Sequence, residues 1–154
     1  MAARVIAPVG PFPAELLVGA RSALFLFGAG FLGANDAIHA LKAGVPGTVV
    51  DTDRGKLDEM RLLYPHTWKF VCRDVFADVA DRRRRQRRWD VVSADPFTGD
   101  TADRCLTLLP DLLALANRAL VLTVAAGVSV PCPAGWAAVT MPRTRIAGWV
   151  VFTR

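Results

Sequence analysis

Three cysteines, two histidines and one tyrosine in 154 residues leave few groups from which several kinds of chemistry are usually built. Cys72, Cys105 and Cys132 are widely spaced and odd in number, with no CxxC pair and no Cys/His cluster. That pattern offers neither a disulfide framework nor a metal site. His39 and His66 read as a helix-surface and a loop residue, and no Ser/His/Asp order is credible, so a serine hydrolase is set aside too. Long uninterrupted hydrophobic runs are also missing. The most apolar stretch, Ala14 to Ala34, is broken by Glu15 and Arg21 and is dense in glycine, so no membrane span is expected. A signal peptide is not expected either: Arg4 is the one basic residue upstream of that stretch, and three prolines fall between residues 8 and 13. Together with the free cysteines, this makes a reducing cytosol the expected compartment.

What the chain does have is enough apolar material for one core. Hydrophobic residues make up 53% and charged residues 21%, with mean hydropathy +0.31, which predicts one domain over residues 1–154, residues 1–21 being a short N-terminal extension. A domain of this length buries roughly 68–70% of the surface its unfolded chain exposes, so it needs no staple. The net charge is +5, but six of the 19 basic residues lie in one run, Arg82, Arg83, Arg84, Arg85, Arg87 and Arg88, interrupted by Gln86. Removing those six from +5 leaves −1. The basicity is therefore local: either a solvated helix end or a contact surface for nucleic acid or phosphate.

Along the chain, short runs of branched and aromatic residues alternate with helical spacing, as in a mostly parallel sheet wrapped by helices. Strands are expected at Ser22–Phe27, Thr48–Val50, Trp68–Cys72, Asp90–Ala94 and Ala119–Val124. The intervening helices carry Ala34, Ile38 and Leu41 on one face, then Leu57, Met60 and Tyr64. A third runs from Ala77 through the arginines, and a fourth from Asp103 to Asn117 is bent or split at Pro110. Beyond Gly127 the pattern changes, and Trp136–Met141 and Gly148–Phe152, joined by a short basic turn, predict an antiparallel hairpin.

Gly28, Gly30 and Gly33 form GxGxxG between an apolar strand and a helix, where a tight turn, close backbone approach and free N–H groups suit a nucleotide-like ligand. A tight turn without any ligand is the plain alternative. Asp51 or Asp53 ends the second strand, where a carboxylate can accept the two hydroxyls of a ribose. Asp74 follows the third strand and Asp95 the fourth, and in an open parallel sheet all these ends face one crevice. Each of these aspartates could instead be a helix cap or turn residue.

From about Ser22 onward the chain resembles a small class I S-adenosylmethionine-dependent methyltransferase. Phe27-Gly28-Ala29-Gly30-Phe31-Leu32-Gly33 resembles the glycine-rich first motif, and Val49-Val50-Asp51-Thr52-Asp53 the second with its ribose-binding acid. Cys72-Arg73-Asp74-Val75-Phe76 resembles the third, whose acid and next residue lie at the adenine ring. Trp89-Asp90-Val91-Val92-Ser93-Ala94-Asp95-Pro96-Phe97 is similar to the fourth. The resemblance implies a three-layer α/β Rossmann-like sheet, mostly parallel with a C-terminal antiparallel hairpin, and S-adenosylmethionine as cofactor. The implied cofactor residues are Phe27, Gly28, Gly30, Gly33, Asp51, Asp53, Asp74, Val75 and Asp95. Asp95 and Phe97 are the catalytic candidates, because Asp95-Pro96-Phe97 resembles the Asp-Pro-Pro-aromatic loop of amino-methylating enzymes that act on nucleic acid. No metal is implied.

The chain also departs from the family. Leu26 stands where an acid often holds the aminoacyl end of the cofactor, with Asn35 or Asp36 as substitutes. Only about ten residues separate the fifth and sixth expected strands, too few for a crossover helix. A pared-down version with fewer helices on one face is therefore expected, with a second copy or another protein over the exposed apolar surface. Two rival readings share much of the pattern: a nicotinamide-nucleotide-binding regulatory domain, and a degenerate methyltransferase fold used for binding protein or nucleic acid.

Overall fold

Continuous apolar runs become strands buried on both faces, and the alternation of side chains sends successive residues to opposite cores. In β1 (Ala23–Leu26) all four residues are buried, Leu24 and Leu26 on one side of the sheet and Ala23 and Phe25 on the other. The computed structural model describes residues 12–96, 99–144 and 146–154, excluding the side chains of 31–35 and 99–100. Its described elements continue with α1 (Phe31–Lys42), β2 (Gly47–Asp51), α2 (Arg54–Leu63), β3 (Lys69–Cys72), α3 (Val75–Arg84), β4 (Trp89–Ala94), α4 (Gly99–Thr107), α5 (Leu109–Leu115), β5 (Ala116–Ala125), β6 (Ala137–Pro142) and β7 (Ala147–Thr153).

The strands form one sheet in the order β3-β2-β1-β4-β5-β7-β6. The first five are parallel, and β7 runs antiparallel to both β5 and β6. The reversed hairpin expected from the sequence is therefore present as β6 and β7, with β7 inserted between β5 and the outer strand β6. Helices α3, α4 and α5 cover one face, over Leu24, Val92, Leu120, Leu122 and Phe152. Helices α1 and α2, with a 3-10 turn at Ala14–Leu17, cover the other, over Phe25, Val49, Val121 and Trp149.

Several boundaries differ from the sequence expectation. Phe12 and Leu17 are buried in the second core, so the end of the N-terminal extension is part of the domain. Ala37 and Ala40 seat α1 on the sheet, while Ile38 and Leu41 are half-buried, because small side chains let the helix approach more closely. The break in the fourth helical segment falls at Leu108, and Pro110 sits in the first turn of α5, where its missing N–H costs nothing. Helix α5 passes straight into β5, whose first residue, Ala116, is fully buried.

No crossover helix joins β5 to β6. Instead, Val130 and Trp136 from the intervening loop pack on the first core, and the Arg154 guanidinium lies 4.3 Å over the Trp136 ring. The outer strand is less covered: Val139 is 60% exposed, although it pairs with the buried Val151.

Candidate functional site

The carboxyl ends of β1, β2, β3 and β4 lie side by side, and backbone contacts tie them together. The turn after β1 enters α1 through Phe27, Gly28, Ala29 and Gly30. Phe27 holds φ +58°, a left-handed conformation rare for a bulky side chain, and one that a tight strand-to-helix turn can impose. Gly28 donates to the Val50 carbonyl at 3.3 Å. A β-carbon there would stand 2.8 Å from Val49 Cγ1 and 2.9 Å from the Phe25 carbonyl, so packing alone demands glycine. Gly30 is different: among the described residues, a β-carbon would meet nothing nearer than the Phe27 carbonyl at 3.9 Å. Gly30 is the N-cap of α1 and has no side chain to satisfy the first N–H groups of that helix. Gly33 lies within the first turn of α1.

Asp51 is the keystone of this end of the sheet. Its Oδ2 accepts from Ala29 N at 3.0 Å and its Oδ1 from Asp53 N at 3.0 Å, so one half-exposed carboxylate ties the glycine turn to the loop after β2. A carboxylate has about four lone-pair sites, and these two bonds leave about two for a ligand. Asp53 is occupied differently. It is the N-cap of α2, accepting from Lys56 N at 3.0 Å. Asp74 likewise caps α3, its Oδ1 accepting from Ala77 N at 2.9 Å. The geometry thus separates the two acids after β2: Asp51 clamps loops and Asp53 starts a helix.

Val75 is buried as the first residue of α3, and Phe76 beside it is half-buried. The Phe76 ring meets the Phe27 ring edge-on at 5.9 Å, and the Arg104 guanidinium stacks over it at 3.7 Å. The two rings form an aromatic pair between the turn after β1 and the start of α3. Leu26 points into the core covered by α3, α4 and α5.

Across from the glycine turn lies a buried charged cluster that the sequence did not reveal. Asp95 follows β4, is 7% exposed, and donates its backbone N–H to the Leu26 carbonyl at 3.2 Å. Arg143, from the turn between β6 and β7, is 1% exposed and brings Nη2 within 3.5 Å of Asp95 Oδ2 and 3.0 Å of Asp36 Oδ2. Its Nη1 donates to Thr123 Oγ1 at 2.9 Å, and its guanidinium packs 4.6 Å from the Trp149 ring. Among the described residues, Arg143 Nε has no acceptor.

One guanidinium serves two carboxylates here, and burial acts against both. Burial pushes the Asp36 carboxyl up to about 7, the neighbouring Asp95 charge adding to the rise and Arg143 only partly opposing it. Burial raises Asp95 as well, again against the pull of Arg143. Asp36 is thus committed to the cluster beneath α1, and the Asn35 side chain lies outside the described set. Phe97 also lies outside the described residues. Arg143 read only as part of a short basic turn. The available signals were Thr123, a hydroxyl inside an apolar strand, and Asp36, an acid on the same side of α1 as the buried Ala40.

The arginine run sits elsewhere, at the C-terminus of α3 and near the amino ends of the strands. Arg82 pairs with buried Asp78 and stacks on Trp89 at 4.9 Å, so it is structural. His39 stacks on Phe12 at 5.7 Å, and burial lowers its pKa. Cys105 is buried, which pushes its thiol up to about 12 and leaves it unreactive. Among the described residues no group of acidic, histidine or cysteine side chains is placed to hold a metal ion, and no helix is long and apolar enough to cross a membrane.

No protein-family model and no curated protein matches the sequence. Solved structures do match the fold. An S-adenosylmethionine-dependent methyltransferase from Agrobacterium tumefaciens superimposes with TM-score 0.63 at 16% identity, covering 94% of this chain and 63% of that one. The magnesium protoporphyrin IX methyltransferase from Synechocystis PCC 6803, solved with bound S-adenosylmethionine, gives TM-score 0.60 at 16% identity, covering 92% and 76%. An O-methyltransferase from Bacillus cereus, solved with S-adenosylhomocysteine, gives 0.64 at 12%, covering 96% and 83%. The chain therefore has the α/β fold of class I methyltransferases, and it spans less than two thirds of the Agrobacterium protein.

Proposed function

We propose that this chain binds S-adenosylmethionine and transfers its methyl group to a nitrogen or oxygen nucleophile. The observation that carries the proposal is the clamped glycine turn. Asp51 holds both neighbouring loops while keeping acceptor capacity, beside a Gly30 whose missing side chain leaves open space that packing does not require. In this reading Asp51 accepts the ribose hydroxyls, and Asp74 Oδ2 with the Val75 N–H meets the edge of the adenine ring. Phe27 and Phe76 wall the ring in, and Gly28, Gly30 and Gly33 let the backbone approach.

When bound, the cofactor supplies a methyl group on an already activated sulfonium, so the protein's task is alignment of the nucleophile at roughly 3–3.5 Å. Asp95, at the end of β4 and held by Arg143, orients that nucleophile or takes its proton; Phe97, two residues on in the sequence, is the second catalytic candidate. A burial-raised carboxyl is a better proton acceptor than an ordinary aspartate. The inserted β7 favours this reading over a nicotinamide domain, whose sheet would run 3-2-1-4-5-6.

Calorimetric titration with S-adenosylmethionine, S-adenosylhomocysteine and NADH tests the proposal. Micromolar binding of the two sulfur compounds, abolished in Gly30→Thr and weakened in Asp51→Asn, is expected. The proposal fails if wild-type protein binds neither compound, or binds them equally well with threonine at position 30. The reading also includes a second copy against β6 and its turn into β7, where Val139 and the 81%-exposed Ile146 lie uncovered, and a reducing, cytoplasmic setting suits the three free thiols. Sedimentation of the reduced protein checks the dimer: a monomer at tens of micromolar would dismiss it.

A further inference from the structure

Two hollows flank the C-terminus of α3. The larger, about 370 Å³, opens between α3 and the edge strand β3, from Lys69 at the start of that strand to Arg73 just past its end, and is walled also by Arg82, Arg85 and Arg87. Asp78 and Asp81 also line it, leaving a surplus of three positive charges. The smaller, about 250 Å³, is lined by Arg83, Gln86, Arg87, Arg88 and Ala114 and by no acid. Arg87 belongs to both.

Ion pairs sort these cations into two groups. Asp81 takes Arg84, Arg85 and Arg73, Asp78 takes Arg82 and Arg73, and Arg83 reaches Asp111 at 3.5 Å. Lys69, Arg87 and Arg88 are exposed and have no such partner among the described residues. A helix C-terminus favours cations. The dipole accounts for basic residues in the last turn of α3, but Lys69 comes from the edge strand and Arg87 and Arg88 lie past the helix end.

We propose that these two hollows form a phosphodiester-binding surface for single-stranded nucleic acid, running along α3 and the edge strand β3 and distinct from the glycine turn. Adjacent basic hollows sharing one arginine suit successive phosphates of one backbone better than a lone anion. Carboxylates 78 and 81 hold the paired guanidiniums in place, and the unpaired three supply the net attraction. A membrane surface fits less well, because neither hollow is lined by an exposed large apolar side chain that could enter a bilayer.

Fluorescence anisotropy with an unstructured labelled oligonucleotide across a salt series tests this, with Lys69→Gln, Arg87→Gln and Arg88→Gln combined in one variant. Affinity for wild type is expected to fall linearly on logarithmic axes. The triple variant should bind about tenfold more weakly near 0.1 M salt, with a slope shallower by about 2, since each lost phosphate contact removes about 0.7. Absence of binding by wild type, an unchanged slope in the variant, or tighter binding to phosphatidylserine vesicles than to the oligonucleotide would each overturn the proposal. S-adenosylmethionine titration of the same variant should match wild type. Because the cofactor titration and the salt slope are separate readouts, failure of the methyltransferase reading would be seen apart from failure of this one.

Discussion

At the carboxyl end of the sheet, acids dominate and are engaged inward: Asp51 binds two backbone N–H groups, Asp53 and Asp74 start helices, and Asp95 is buried against Arg143. At the amino end, cations dominate and face outward around the end of α3, with Lys69, Arg87 and Arg88 exposed. In a parallel α/β sheet every helix starts where a strand ends and finishes where the next begins. The helix dipoles therefore favour acids at one end and bases at the other before any ligand is considered. The comparison teaches which charges need further explanation. Capping accounts for Asp53 and Asp74, and the dipole for Arg82 to Arg84, but neither accounts for the Asp36–Arg143–Asp95 cluster or for the unpaired cations beyond α3.

The largest contrast is expected from removing one cation at each end. Arg143→Met leaves two carboxylates facing each other in the interior and should cost about 3–5 kcal/mol in urea denaturation. The triple glutamine variant at the other end should stay within about 0.5 kcal/mol of wild type in the same experiment. Near-equal losses would dissolve the distinction between a built-in and a solvent-facing charge.

Acidity gives the next contrast, and its sign differs between the ends. The Asp36 carboxyl rises from 3.8 to about 7 on folding, so its contribution is fully present below the unfolded value and is lost as pH climbs through the folded one. The unfolding free energy should therefore decline between about pH 4 and 7 by an amount of order 2–4 kcal/mol, and Asp36→Asn should flatten that decline. Asp81 behaves in the opposite sense. The Arg84 hydrogen bond, with Arg85 and Arg73 nearby, holds its carboxyl below the usual range. Its contribution is present above the unfolded value and is lost only as pH falls through the folded one. Asp81→Asn should therefore lower stability slightly near neutrality, by less than the Asp36 effect, and converge with wild type in acid, where the native carboxyl is uncharged as well.

A smaller contrast lies inside the glycine turn. Gly28→Ala forces a methyl against Val49 and the Phe25 backbone and should cost about 1–3 kcal/mol. Gly30→Thr keeps a good N-cap residue and should change stability by less than about 1 kcal/mol while removing cofactor binding. If both glycines behaved alike in melting and in titration, the open space at Gly30 would have no functional meaning.

Much of the fold was legible because local chemistry and burial agree. Leu24 and Leu26 alternate with Ala23 and Phe25 in a run apolar on both sides, which is what a central parallel strand requires. Gly44, with φ +71°, and Pro65 mark helix ends in the way their backbone limits dictate. The α1 face was misjudged because periodicity ranks Ile38 and Leu41 above Ala37 and Ala40, whereas close packing on a sheet selects the small residues. The site was legible as a set of acids after strands, but the pattern could not say which did what. Asp51 and Asp53 are two residues apart with the same functional group, and only the hydrogen-bond directions separate them.

The sequence by itself determined the order of strands and helices, the glycine turn with acids gathered at the strand ends, and the local nature of the positive charge. These follow from periodicity and backbone preference, which act over a few neighbours. Only the tertiary structure decided that Arg143 reaches Asp36 and Asp95 across more than forty residues of chain, that Asp51 and not Asp53 clamps the turn, and that Lys69 joins Arg87 around one hollow. Those are meetings of side chains distant in sequence. Their energies depend on burial and separation in space, and neither quantity exists until the sheet has closed its order around β1 and β4.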